Sequence, residues 1–215
     1  MKVYNVAILG TGFGGLGMAL RLKTEGETDF VILEKAASVG GTWRDNTYPG
    51  AACDVRSHLY WFSFAEPPIW SRTYCGQAEI LDNIDTLVER SGLKEHIRFN
   101  TEVIDAAWDD QALLWHIRTA DNEVIAARWF VTAWGQLNRP NFAGIEGRAN
   151  FKGELFHSSR WQHDVALEGK RVACIGNGPS AAQFIPELAR QAGHLTVFQR
   201  SAQFSVPSGN GPVTQ

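Results

Sequence analysis

The residues best suited to chemistry in this chain are glycines, and they come in two clusters. Gly10-Thr11-Gly12-Phe13-Gly14-Gly15 satisfies G-x-G-x-x-G, and Gly176-Asn177-Gly178-Pro179-Ser180-Ala181 repeats it with alanine in the third place. In such a loop the first glycine permits a tight strand-to-helix turn. The second lets a pyrophosphate approach the backbone, and the third lets helix and strand pack closely. The helix that follows adds free N–H groups and the positive end of its dipole. A lone cluster of this kind is weak, but both clusters here sit in a full frame. Val6–Leu9 and Val172–Ile175 precede them as short apolar runs, the pattern of buried parallel strands. Leu16, Met18, Ala19, Leu20 and Leu22 predict a helix after the first loop, and Ala182, Phe184, Ile185, Leu188 and Ala189 predict one after the second. Second apolar runs, Phe30–Leu33 and Leu195–Phe198, close the two units.

The residues that end those second runs differ in charge. Glu34 follows the first run, whereas Gln199 and Arg200 follow the second. Gly10 and Glu34 are 24 positions apart, as are Gly176 and Arg200. An acid there accepts hydrogen bonds from a free ribose, and an Arg suits a ribose carrying a 2′-phosphate. The sequence therefore reads as an FAD site followed by an NADPH site.

Composition narrows the alternatives. The chain has 215 residues, enough for one large domain or two small ones, and a globular hydrophobic fraction of 44%. Net charge is −3 with no basic block, so nucleic-acid binding has no electrostatic footprint. The apolar runs are strand-sized, and no membrane span is expected. The first strand begins near residue 3, which is expected to leave no room for a leader peptide. Cys53, Cys75 and Cys174 form no C-x-x-C, which speaks against zinc, a metal site or a redox dithiol and makes a reducing cytoplasm the default location. A pyridine nucleotide-dependent disulfide reductase is excluded on the same ground.

Between the two units the chain is less regular. Gly40-Gly41-Thr42-Trp43 and Tyr48-Pro49-Gly50-Ala51 predict a long irregular loop folded over a cofactor, with Trp43 as a wall. Tyr60, Trp61, Phe62 and Phe64 read as a core cluster. Ile80, Ile84, Leu87 and Val88 have helical spacing, with Gly92 as C-cap, and Ile97–Phe99 is a short strand. The runs 103–108, 114–118 and 123–126 predict a β-meander inserted to close one face, and 128–133 a separate returning strand. His116 reads as a strand-face residue. The expected architecture is α/β, with two Rossmann-like dinucleotide-binding units. Residues 1–140 form the first domain, 141–170 a linker and 171–215 the start of the second. A second unit of two strands and one helix exposes much apolar sheet, so the chain is expected to be the front portion of something longer.

Four stretches carry a family resemblance. They are the first loop with Glu34; Gly40-Gly41-Thr42-Trp43 with Tyr48-Pro49-Gly50-Ala51, Asp54 and Ser57-x-x-Tyr60; Phe151-x-Gly153-x-x-x-His157-x-x-x-Trp161; and the second loop with Arg200. On these the chain resembles class B flavoprotein monooxygenases: the flavin-containing monooxygenases and, more closely, the Baeyer–Villiger monooxygenases. The third stretch matches the family fingerprint F-x-G-x-x-x-H-x-x-x-W. Gln162 stands where Pro or Asp usually follows the Trp, and Ala133-Trp134-Gly135 replaces the usual Ala-Thr-Gly.

The resemblance implies FAD and NADPH as cofactors, and a C4a-peroxyflavin that oxidises a ketone to an ester or lactone. Oxidation of nitrogen or sulfur, or a nucleotide-binding fragment without turnover, are the alternatives. The implied partners are a ketone or other small organic substrate, molecular oxygen and a C-terminal half or partner chain. The implied cofactor contacts are Gly10, Gly12, Phe13, Gly14, Gly15, Glu34, Gly41, Thr42, Trp43, Asp54, Tyr60, Val103 and Gly135 around the first loop. Gly176, Asn177, Gly178, Ser180, Ala181, Arg200 and Ser201 are those around the second. Asp54 is expected near the flavin, steering an Arg that has no matching position here. His157 is expected to set domain geometry.

Overall fold

The apolar runs pair in parallel, as their lack of in–out alternation requires. In the computed structural model, which describes residues 2–142 and 144–213, β1 (Val3–Leu9) is followed by α1 (Phe13–Thr24) and β2 (Phe30–Leu33). A single helical turn, α2 (Thr42–Asp45), and a longer helix, α3 (Gln77–Arg90), come next. The chain then forms β3 (Ile97–Arg98), β4 (Val103–Asp109), β5 (Leu114–Thr119) and β6 (Val124–Thr132). A second series holds β7 (Arg171–Ile175), α4 (Pro179–Gln191) and β8 (His194–Phe198). No helix of the described residues is long and apolar enough to cross a membrane.

The chain divides into two compact units. One contains Met1–Arg44 and Leu81–Asn138; the other contains Asp45–Ile80 and Arg139–Gln215. The first unit is built on a six-stranded sheet of order β3-β2-β1-β6-β5-β4. β1 pairs in parallel with β2 and β6, while β4, β5 and β6 are antiparallel. Ala7, Val31, Leu33, Ile117, Ile125 and Ala127 form one buried cluster across it. In the second unit β7 and β8 make a two-stranded parallel sheet. Cys174, Ala181, Phe184 and Leu188 gather Tyr48, Trp161 and Val172 into its core.

Three expectations need correction. The third meander run and the returning strand are one element, β6, whose residues Ala126–Thr132 lie beside β1. Its half nearer Val124 is paired to β5 by Trp115↔Ala127 to Arg118↔Val124, so the meander extends the sheet and shares its core rather than closing a face. The glycine-rich stretch at 40–45 is not wholly irregular. Gly40 and Gly41 take φ of +115° and +52°, and the Trp43 N–H donates to Gly40 O at 3.1 Å, starting the turn α2. Finally, Tyr60, Trp61 and Phe62 are only half-buried and Phe64 is 45% exposed. The member of that aromatic group that is buried is Trp70, edge-on to Trp61 at 5.8 Å.

Candidate dinucleotide-binding loops

The two glycine-rich turns share their backbone conformation and their anchor to the neighbouring strand. Gly10 has φ of +101° and Gly176 φ of +105°, a left-handed conformation that glycine adopts without strain. The Gly10 N–H donates to Leu33 O at 2.9 Å, and the Gly176 N–H to Phe198 O at 2.8 Å. Each turn thereby hangs on the last residue of the neighbouring strand. Gly12 and Gly178 are the N-caps of α1 and α4, with φ/ψ of −76°/−176° and −67°/−177° and no side-chain cap on either. A helix N-terminus without a side-chain cap suits an anionic ligand, with the difference that α4 begins at Pro179, which has no N–H to offer.

The first loop is the more crowded. A Cβ on Gly15 would stand 1.9 Å from Gly10 O, so helix and strand pack at a distance that only glycine allows. Gly40 N–H donates to Thr11 O at 3.0 Å, and a Cβ on Gly41 would lie 3.0 Å from the Gly12 Cα. The 40–44 segment therefore lies against the loop backbone, glycine to glycine. Trp43 is buried and Thr42 exposed within α2; Phe13 is half-buried and Gly14 exposed at the start of α1. Val103 opens β4 opposite Thr119, and Gly135, with φ of +74°, follows β6.

Glu34 is 4% exposed and fully engaged. Its Oε2 accepts from the Thr11 N–H at 3.0 Å and the Thr11 hydroxyl at 2.6 Å. Its Oε1 accepts from the Ala36 N–H at 2.9 Å and faces Arg44 Nη1 at 3.2 Å.

In the second unit the equal spacing does not translate into equal place. Leu9 is in register with Leu33, but Ile175 with Phe198, so the residue corresponding to Glu34 is Gln199 and Arg200 lies one position further on. The segment between loop and strand is one residue shorter there. Asn177 Nδ2 donates to Gln199 Oε1 at 2.9 Å and to Ser201 O at 3.1 Å. Thr11–Glu34 thus has a neutral counterpart in Asn177–Gln199, which the sequence reading missed although both residues stand at the motif's own positions. Arg200 and Ser201 are exposed, Ser180 is half-buried, and Ala181 is buried against Phe184.

The segment around Tyr48–Asp54 belongs to the second unit, where Gln183 of α4 anchors it. The Tyr48 hydroxyl and the Ala52 N–H donate to Gln183 Oε1 at 2.9 and 3.2 Å, and Gln183 Nε2 donates to Ala52 O at 2.9 Å. A Cβ on Gly50 would lie 2.7 Å from Gln183 O. Gln183 carried no motif signal; an amide on the helix after a second glycine loop becomes informative only once its partners are seen. Asp54 is exposed in the turn beyond, and Tyr60 caps the 57–59 turn, its N–H donating to Ser57 O.

His157 holds the fingerprint turn. Its Nδ1 accepts from the Ser159 N–H at 3.1 Å and lies 2.9 Å from the Ser159 hydroxyl, while Phe142 packs edge-on at 5.6 Å. Partial burial, with the nearby Arg160 charge, holds the imidazole below the usual histidine range, as an acceptor nitrogen requires. Trp161 packs on Phe156 and Phe184 at 5.2 and 5.5 Å.

Two helix N-termini, each presented by a glycine turn at the carboxyl end of a parallel strand, form a duplicated Rossmann-like arrangement. The chain belongs to the family described as pyridine nucleotide-disulphide oxidoreductase, which it matches over residues 7–210. The chain carries no C-x-x-C. A Baeyer–Villiger monooxygenase of Streptomyces coelicolor is 50% identical over 202 residues, 94% of this chain and 39% of that protein. The crystal structure of cyclohexanone monooxygenase from Rhodococcus sp. Phi1 bound to NADP+ superposes with a TM-score of 0.93 at 41% identity, over 100% of this chain and 41% of that one. The structure of OTEMO in complex with FAD and NADP gives 0.92 at 33% identity, over 98% and 41%. The chain thus spans about two fifths of the length of these relatives.

Proposed function

We propose that this chain is the dinucleotide-binding part of an FAD- and NADPH-dependent monooxygenase of the Baeyer–Villiger kind, acting with molecular oxygen on a ketone to give an ester or lactone. The observation that carries the reading is the duplicated loop with different chemistry at its two ribose ends: a carboxylate at Glu34, and the amide–guanidinium pair Gln199–Arg200. The relatives bound to FAD and NADP support the same assignment.

The residues present fit both groups. Gly41 packs so closely on Gly12 that a Cβ would meet the Gly12 Cα at 3.0 Å, which keeps the loop backbone at the start of α1 bare of side chains, as a pyrophosphate site requires. Gly10, Gly12, Gly15 and Glu34 would hold FAD, and Gly176, Gly178, Ser180 and Arg200 would hold NADPH. When bound, the two cofactors supply hydride and oxygen chemistry that no side chain provides. The chain's own share is to bind and orient. Arg200 offers a planar cation to a 2′-phosphate, and Asn177 fixes the turn on which that Arg stands. Asp54 is offered as a supporting residue near the flavin, and His157 as a positioning residue.

The test is an absorbance spectrum of the 215-residue chain after incubation with FAD and desalting. Flavin bands that stay with the protein support the proposal. A colourless, folded protein overturns the assignment of the first loop.

A further inference from the structure

The ribose acid of the first loop has no vacant acceptor place. An ionised carboxylate offers about four lone-pair sites, and Glu34 spends its two oxygens on Thr11 N–H, Thr11 hydroxyl, Ala36 N–H and Arg44. Ribose hydroxyls can bond to this carboxylate only by replacing one of these partners. Two of the four are backbone groups fixed by the turn. The third, the Thr11 hydroxyl, is 0% exposed and makes the shortest contact, at 2.6 Å. The fourth is the longest contact, 3.2 Å, and comes from a flexible side chain that is 15% exposed. Arg44 also has a second anchor, donating from Nη1 to Ser38 O at 2.7 Å, so it has a place to rest when it leaves Glu34.

We infer that Arg44 is a gating residue of the first dinucleotide site: it occupies the ribose-binding oxygen of Glu34 in the free protein and is exchanged for the adenosine ribose on binding. This rests on the reading of the first loop as a flavin nucleotide site. A consequence is that the affinity of the loop for FAD is set below what Glu34 could give, because every binding event breaks a charge-assisted contact before it makes one.

The experiment is a titration of FAD, read by quenching of flavin fluorescence, against the chain, Arg44→Met and Arg44→Gln, with thermal melts to confirm folding. Both variants remove the cation and keep most of the stem. Either variant should bind FAD roughly three- to tenfold more tightly, the range of one modest hydrogen bond. Combining either with Glu34→Gln should abolish that gain. NADPH affinity should stay unchanged, since Arg200 belongs to the other loop. FAD bound equally or more weakly by folded Arg44 variants overturns the exchange alone. FAD bound by none of the chains overturns the reading of the loop and the exchange together.

Discussion

The two glycine-rich loops share a backbone but not an environment. In the first, β1 is covered on both faces, with Val6, Ala7 and Ile8 all buried, and Gly15 sits where a Cβ would meet Gly10 O. In the second, one face of β7 packs on α4 through Val172 and Cys174, while Ile175 and Phe198 are 65% and 56% exposed. Ala181 stands in the motif position of Gly15 there and is buried in the α4 core. The ribose ends diverge in parallel: a buried, four-fold bonded carboxylate in one, a neutral amide pair beside an exposed Arg in the other. The two turns share their backbone conformation at Gly10 and Gly176, and differ in the side chains that follow the second strand: Glu34 in one, Gln199 and then Arg200 in the other.

Substitutions can break that comparison. The largest effect is expected from Gly15→Val, whose side chain overlaps Gly10 O; it should cost about 3 kcal/mol or more and abolish flavin retention, as read by chemical denaturation and absorbance. The reciprocal change, Ala181→Gly, should cost only about 0.5–1 kcal/mol, the helix penalty of glycine. Arg200→Ala should weaken NADPH by roughly 1.5–3 kcal/mol and leave NADH nearly unaffected, measured by titration calorimetry. Equal losses for both would move the 2′-phosphate contact elsewhere. Gln199→Glu makes the second loop resemble the first. It should weaken NADPH about tenfold by placing a carboxylate near the phosphate, and spare NADH.

The smallest effect is a titration within the second unit. His157 has a folded pKa below its free value, so the unfolded chain takes up the proton first as pH falls through about 6.5. Stability held at neutral pH is therefore lost progressively below that value, until the folded state protonates too. Imidazole NMR shifts should show a midpoint below about 6.5; a midpoint above it contradicts the acceptor role of Nδ1.

Much of this was legible because period and glycine spacing are strong local signals. The strands around both loops, α1, α3 and α4 follow from apolar patterning, and Gly92 closes α3 with φ of +63° as a C-cap glycine should. What was not legible depended on register or on distant partners. β6 reads as two runs because Arg128 interrupts an apolar stretch, yet pairing with β5 and then β1 makes it continuous. Counting residues set Arg200 opposite Glu34, whereas strand register sets Gln199 there. Arg44 gave no signal at all, since its partner lies ten positions back and is reached only through the turn α2.

The central claim is that the chain carries two separate dinucleotide sites of different ribose preference. The most direct test is to load the chain with FAD and titrate it with NADPH and then NADH, following flavin release and nucleotide binding together. Two sites predict that NADPH binds more tightly than NADH and leaves the flavin in place. Stoichiometric displacement of FAD by NADPH, or equal affinity for the two nicotinamide nucleotides, would contradict it.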